Sequence, residues 1–145
     1  MRNATFMRPE TAAFAGMFDP ICVLFTMEQE DGELAYISGV MRLERETLRM
    51  EFLVRDNVFG QIHSKLRHIE LPLEAIDRIV LIKGWFSSML VLTVGYVGLL
   101  DALAPSDPCR VELTIAACDR SVAEELINRV KFQQSELRVQ AAMKK

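Results

Sequence analysis

The chain has few cysteines and histidines, the residues that most often bind zinc or take part in nucleophilic catalysis. It contains three cysteines, Cys22, Cys109 and Cys118, and two histidines, His63 and His68. The cysteines are far apart and odd in number, and none has the Cys-x-x-Cys or Cys/His spacing of a zinc site. Neither histidine lies at a motif spacing from a serine, cysteine or carboxylate that would pair with it. We therefore expect free, buried thiols, no metal, no cofactor and no enzyme activity.

Strong charge of one sign and long apolar runs are also lacking. The net charge is −3 over 145 residues, which gives no broad attraction to nucleic acid or anionic lipid. The most apolar stretch, residues 89–100, falls short of the ~20 residues that span a bilayer as a helix. Arg8, Pro9 and Glu10 interrupt the N-terminal apolar residues, so the chain start lacks the core of a secretion signal. We expect a cytoplasmic protein that does not bind nucleic acid.

Short stretches of strand-type sequence follow one another through most of the chain. Apolar runs or apolar–polar alternation predict strands at residues 21–27, 34–44, 48–55, 65–71, 79–82, 89–94 and 110–116. The continuous apolar runs at 79–82 and 89–94 are typical of strands covered on both faces. Residues 56–60 are expected to form a loop, and the alternation slips once within 65–71, which predicts a bulge or a late strand start.

One amphipathic helix is predicted to close the chain. Asp119 is a candidate N-cap, and Ser121 and Glu124 have the capping-box spacing. The apolar stripe of this helix contains Val122, Ala123, Leu126, Ile127, Val130 and Leu137. Beyond Leu137 the chain turns polar and is expected to fray. The predicted organisation is a leader at 1–19, one domain at 20–137 and a tail at 138–145.

These elements predict a mainly β (α+β) domain. About seven antiparallel strands would form a bent β-sandwich or partly open barrel, capped by one C-terminal helix. A chain of this length buries about two thirds of the surface that its unfolded form exposes, so we expect a self-sufficient core.

Three segments carry a family resemblance: residues 39–43, residues 48–52 and, most specifically, residues 69–76 with the sequence IELPLEAI. Residues 83–86, 105–107 and 119–120 add weaker similarity. The chain thus resembles the bacterial pleckstrin-homology-like (PH-like) domains over roughly residues 35–135. The resemblance implies a PH-like bent sandwich and a non-catalytic binding or assembly module, which presents loops and one sheet edge to a protein, a peptide or a lipid headgroup.

Charge around the first hairpin argues against phosphoinositide binding of the kind found in the wider superfamily. Those binders carry several basic residues there, whereas this chain interleaves arginines and glutamates, namely Arg42, Glu44, Arg45, Glu46, Arg49 and Glu51. A headgroup with several phosphates would meet roughly balanced charge.

Two adjacent aromatic residues are the main interaction candidates. Trp85 and Phe86 follow Gly84 at a predicted hairpin tip. We predict that they fold back onto the core; the alternative is that they stand out as contact residues. In that second case, together with Phe132 off the main helix stripe, they would form an interface for self-association or for a protein partner.

Two functions follow from these residues. The first is a non-catalytic PH-like module that acts through protein–protein contacts, including homo-oligomerisation. The alternative is a binder of a small anionic ligand or lipid headgroup at the open end of the sandwich, with Lys65, Arg67 and Lys83 facing the anion. For Lys65 and Arg67 a solvated strand face is the simpler interpretation, and we do not favour membrane lipid as the partner.

Overall fold

The computed structural model describes residues 21–28, 36–58, 61–105 and 107–144. The strands are β1 (Cys22–Glu28), β2 (Tyr36–Leu43), β3 (Thr47–Val58), β4 (Gln61–Pro72), β5 (Ile76–Lys83), β6 (Ser87–Val94) and β7 (Arg110–Ala116). The helix α1 spans Arg120–Met143, and short 3-10 turns lie at Leu73–Ala75, Asp101–Leu103 and Ala117–Asp119. The predicted leader, residues 1–19, lies outside the described residues.

All seven strands form one antiparallel sheet in the order β4-β3-β2-β1-β7-β6-β5. Among the described residues no ladder joins β4 to β5, so the sheet is not closed. The predicted fold class is confirmed, since the chain is mainly β with a single C-terminal helix, an architecture consistent with a PH-like sandwich.

The core lies on the inner face of the sheet and under α1. The alternation is clearest in β7, where Val111, Leu113 and Ile115 are buried and their neighbours are exposed. The helix closes this core with four buried residues, Ala123, Leu126, Ile127 and Val130. Burial of each large aliphatic side chain contributes roughly 1.5–3 kcal/mol relative to exposure. The helix stripe predicted from spacing is therefore the packing face.

The β3–β4 hairpin is longer than predicted. Asp56 and Asn57, expected in a loop, pair with His63 and Ile62, so β3 continues to Val58 and β4 begins at Gln61. The β3–β4 register has no shift, and the predicted bulge or late start of β4 is wrong. The apolar–polar alternation of residues 65–71 is broken because Leu66 lies on the outer face of the sheet, whereas Ile69 and Leu71 lie in the core.

Strand β5 is not covered on both faces, as its apolar run predicted. Ile82 is 55% exposed, and Val80 and Leu81 are half-buried. The reason is the strand order: among the described strands β5 is the last of the sheet, so on each face its side chains have a neighbouring strand to pack against on one side only. Its continuous apolar sequence is typical of a central strand and was misleading here.

The two ends of α1 depart from prediction. Asp119 occupies the N-cap position, but its side chain makes no capping hydrogen bond, because the helix follows directly from the Ala117–Asp119 turn. The helix then continues to Met143, so the fraying expected beyond Leu137 is wrong. Residues 138–143 are rich in helix-forming types, and helix propensity continues where the apolar stripe ends.

The cysteines are less buried than expected. Cys22 and Cys118 are exposed and Cys109 is half-buried. Cys22 alternates with the buried Val23 and therefore lies on the outer face of β1, and Cys118 lies in the turn before α1. The prediction of buried thiols is therefore wrong at these two positions.

Candidate functional site

Trp85 and Phe86 stand out from the protein at the turn between β5 and β6. Their exposed fractions are 95% and 91%, so the prediction that they fold back onto the core is wrong. The turn contains only residues 84–86 and is tight: a Cβ at Gly84 would lie 2.5 Å from the carbonyl oxygen of Ser87. Such a turn, at the end of an edge hairpin, carries its side chains beyond the reach of the core. We call Trp85 and Phe86 the aromatic tip.

The first turn of α1 holds the aromatic tip in place. The Arg120 Nη2 atom donates a hydrogen bond to the carbonyl oxygen of Gly84 at 2.7 Å, and Arg120 Nε donates to Ser88 Oγ at 2.7 Å. On the preceding strand, Lys83 Nζ lies 2.6 Å from Glu124 Oε1. The helix therefore contacts both flanks of the turn, and its hydrogen bonds and ion pair hold the backbone that carries the two aromatic side chains.

A second feature, an apolar groove, lies on the outer face of the sheet. It has a volume of about 650 Å³ and is lined mainly by Leu24, Val40, Leu53, Leu66, Thr114 and Ala116. Leu24 and Leu66 are 62% and 70% exposed. Cross-strand pairing aligns these residues: Leu24 lies opposite Val40, and Leu53 lies opposite Leu66. Single exposed leucines are ordinary, but a groove that gathers apolar side chains from several strands is a candidate binding surface.

Gly39 of β2 permits the close strand approach behind the apolar groove. It lies opposite Phe52, and a Cβ at this position would lie 2.3 Å from the carbonyl oxygen of Glu51 and 2.5 Å from Phe52 Cβ. Real Cβ atoms do not approach a backbone oxygen so closely. Glycine is therefore required for this spacing of β2 and β3.

Ion pairs border the apolar groove at β2, β3 and β4. Glu51 Oε1 lies 3.1 Å from Arg42 Nη2 and 3.0 Å from Arg49 Nε. Glu70 lies 3.2 Å from Arg49 Nη1, and Glu44 lies 3.8 Å from Arg42 Nε. Three glutamates and two arginines give this network a charge of −1. Exposed pairs of this kind contribute about 0–1 kcal/mol each to folding stability, so their main effect is on the electrostatic potential at the border of the groove.

The other interaction candidate, Phe132, lies apart from the aromatic tip. It is 62% exposed on α1. At a rise of 1.5 Å per residue it lies about 18 Å along the helix axis from Arg120, the residue that contacts the tip. The structure therefore brings Trp85 and Phe86 together and leaves Phe132 at another place on the surface.

The three anion-facing candidates belong to opposite edges of the strand order. Lys65 and Arg67 are exposed on β4, and Lys83 is exposed on β5. Lys83 is engaged by Glu124. Lys65 and Arg67 lie opposite Val54 and Phe52 of β3.

Two other kinds of site have no counterpart among the described residues. No group of three or more histidine, cysteine, aspartate or glutamate side chains within them is arranged to hold a metal ion. In the same part of the chain, no helix combines the length and apolarity needed to cross a membrane.

Comparison with known proteins adds no relative: no protein-family model, curated protein or solved structure matches the chain. Membership of the PH-like family thus stays a prediction, and the function is inferred from the residues themselves.

Sequence reasoning missed the apolar groove, although a signal was present. Leu53 falls on the polar side of the 48–55 alternation, among Arg49, Glu51 and Arg55. Leu66 is the residue at which the 65–71 alternation slips. Apolar residues out of phase on two neighbouring strands indicate an apolar patch on the outer face, and these two residues are paired across β3 and β4.

Proposed function

We propose that this protein is a non-catalytic interaction module that binds protein through the aromatic tip. The single observation that carries the proposal is the 95% and 91% exposure of Trp85 and Phe86 on a braced turn. Aromatic residues of this kind are the commonest anchors of protein interfaces, because each buries a large area at a low cost in side-chain entropy.

The hydrogen bonds of Arg120 favour the interpretation that the exposed aromatic residues bind a partner over the interpretation that their exposure has no function. Arg120 contacts the residue before the tip and the buried Ser88 after it. A turn whose backbone is already held loses less conformational entropy when its side chains bind a partner. The contacts of Arg120 lower that loss for the backbone that carries both aromatic residues.

The non-catalytic part of the proposal rests on how the ionisable groups are engaged. Glu51 lines the apolar groove, but its carboxylate is bound by Arg42 and Arg49. The groove therefore offers apolar contact and one carboxylate held by two arginines, with Asp119 as the second carboxylate in its lining. The PH-like resemblance implies the same kind of role.

Site-specific photo-crosslinking tests this proposal. A photoreactive phenylalanine analogue replaces Phe86 in the full chain, expressed in the cells that naturally produce it, and the same analogue at Val139, exposed on α1, is the matched control. We expect protein adducts of defined mass from position 86 and none of these from position 139. Identical patterns at both positions, or no protein adduct at position 86, would contradict the proposal.

The anion-binding alternative stays a prediction, and no observation favours it over the aromatic tip. One of its three candidates, Lys83, has its ammonium group 2.6 Å from Glu124. An anion at this position would have to compete with that carboxylate.

A further inference from the structure

We infer that the aromatic tip binds the apolar groove of a second copy of this chain, so that two copies exchange tips across a two-fold axis. The inference rests on the proposed function and names its partner. It concerns two features that the structure places side by side on one molecule.

The aromatic tip and the apolar groove are adjacent. Ser87, the residue after Phe86, lies opposite Ala116 of β7, and Ala116 lines the groove. The tip does not fill its own groove, since Trp85 and Phe86 are almost fully exposed. A projection next to a depression is self-complementary under two-fold rotation: each tip meets the other copy's groove, and both contacts form together.

The sizes of the two features match. Pockets of about 300–1,000 Å³ hold a drug-sized ligand, and the groove of about 650 Å³ falls within the range that can take an indole and a phenyl ring. Burial of two aromatic side chains removes about 300–500 Å² from water. The two exchanged tips together would therefore contribute about 600–1,000 Å² of the roughly 1,600 Å² that a standard interface buries in total.

The charges are complementary as well. Among the described residues, the charged groups that line the groove are Asp119 and Glu51, and Glu51 belongs to the border network, whose net charge is −1. The side chains that brace the tip, Lys83 and Arg120 with Glu124, sum to +1. Insertion of a tip therefore brings a positive flank to a negative border, which favours this register of the two copies.

Trp85 is the only tryptophan in the chain, so fluorescence reports on the aromatic tip alone. We expect the emission of the full chain to shift to shorter wavelength as concentration rises, in parallel with dimer formation in sedimentation velocity. Leu66→Asp places a charge in the groove without altering the tip and should abolish both effects. Val97→Asp is the matched control, because Val97 is 72% exposed outside the groove, and it should leave both effects unchanged.

Mixing two variants tests the exchange directly. The double variant Trp85→Ala/Phe86→Ala has an intact groove, and Leu66→Asp has an intact tip. Loss of the anchors should weaken self-association of the first by about 30-fold or more. Together the two should form a 1:1 heterodimer through one intact contact, and the tryptophan of the Leu66→Asp chain should shift as the tip variant is added.

Three outcomes would overturn the inference. These are a full chain that stays monomeric, a Leu66→Asp chain that dimerises like the Val97→Asp chain, and variants that fail to associate when mixed although each is folded by circular dichroism. If the chain is monomeric and Leu66→Asp changes the hydrogen exchange of residues 1–20, the groove binds that segment of the same chain instead of a second copy. If the chain is monomeric but the photoreactive analogue at position 86 forms adducts with a different protein, the proposed function stands and only the self-association is rejected.

Discussion

Arg120 is expected to hold the aromatic tip, and its removal should both destabilise the protein and loosen the tip. The Arg120→Met change keeps the length and apolar stem of the side chain but deletes its hydrogen bonds to the carbonyl oxygen of Gly84 and to Ser88 Oγ. The Gly84 carbonyl is exposed and regains water, so its loss costs little. Ser88 is 2% exposed, and a buried hydroxyl left without its partner costs about 1–3 kcal/mol.

We therefore expect Arg120→Met to lower the free energy of unfolding by about 2 kcal/mol and the melting temperature by about 4–8 °C. Far-UV circular dichroism in urea is the suitable assay, because Trp85 is exposed in the native state and reports poorly on unfolding. A double-mutant cycle with Ser88→Ala should give a coupling energy of about 0.5–3 kcal/mol. Separately, at a concentration at which the chain is monomeric, the fluorescence anisotropy of Trp85 should fall as the turn gains freedom.

The matched control is Arg110→Met, which removes an ion pair between exposed side chains, Arg110 Nη1 and Glu112 Oε1 at 3.2 Å. Its effect on stability should be within about 1 kcal/mol, and Trp85 anisotropy should not change. If Arg120→Met costs no more than Arg110→Met and leaves the anisotropy unaltered, the reasoning that Arg120 braces the tip is refuted.

Two further predictions concern the sheet and its junction with the helix. Gly39→Ala should lower the free energy of unfolding in urea by about 1–3 kcal/mol, because the added methyl group would meet the Glu51 carbonyl oxygen. Gly98→Ala is the comparison that separates this clash from backbone strain, because Gly98 has open space around it but a φ of 104°. If Gly39→Ala is as stable as wild type, the steric argument is refuted. Gln134 Nε2 donates to the carbonyl oxygens of Leu73 and Ile76 at 2.8 and 2.9 Å. Gln134→Glu loses this donor and places a carboxylate against the two oxygens, so it should lower the free energy of unfolding by about 1–3 kcal/mol at neutral pH. A melting temperature equal to that of wild type in calorimetry would contradict this.

Local periodicity was sufficient to predict the core but not the binding surface. The alternation of residues 110–116 and the stripe around Leu126 identify buried side chains, because each pattern depends on neighbours within one element. The groove depends on register between strands: Leu24 and Val40 meet because β1 pairs with β2, and Leu53 meets Leu66 across β3 and β4. No single segment contains that information.

The errors in the aromatic tip and in β5 have a common cause. A run such as residues 79–82 has the composition of a central strand, and large aromatic residues are usually buried. Strand order decides otherwise, because β5 is at the sheet edge and its turn to β6 projects from it. Edge position is a property of the whole topology. It becomes visible only when all seven strands are placed.

Within the described part of the chain, β4 and β5 are the two edge strands of the sheet, and they differ in how each resists the addition of a foreign strand. Along β4, the side chains of Lys65 and Arg67 are exposed at alternate positions, and charges there discourage backbone pairing with another chain. Along β5, the pairing with β6 is irregular between Ile76 and Arg78, and such a bulge interrupts the regular spacing that an incoming strand needs. Aggregation by edge-to-edge growth is thus opposed at both margins, and recognition is directed to side chains instead of backbone.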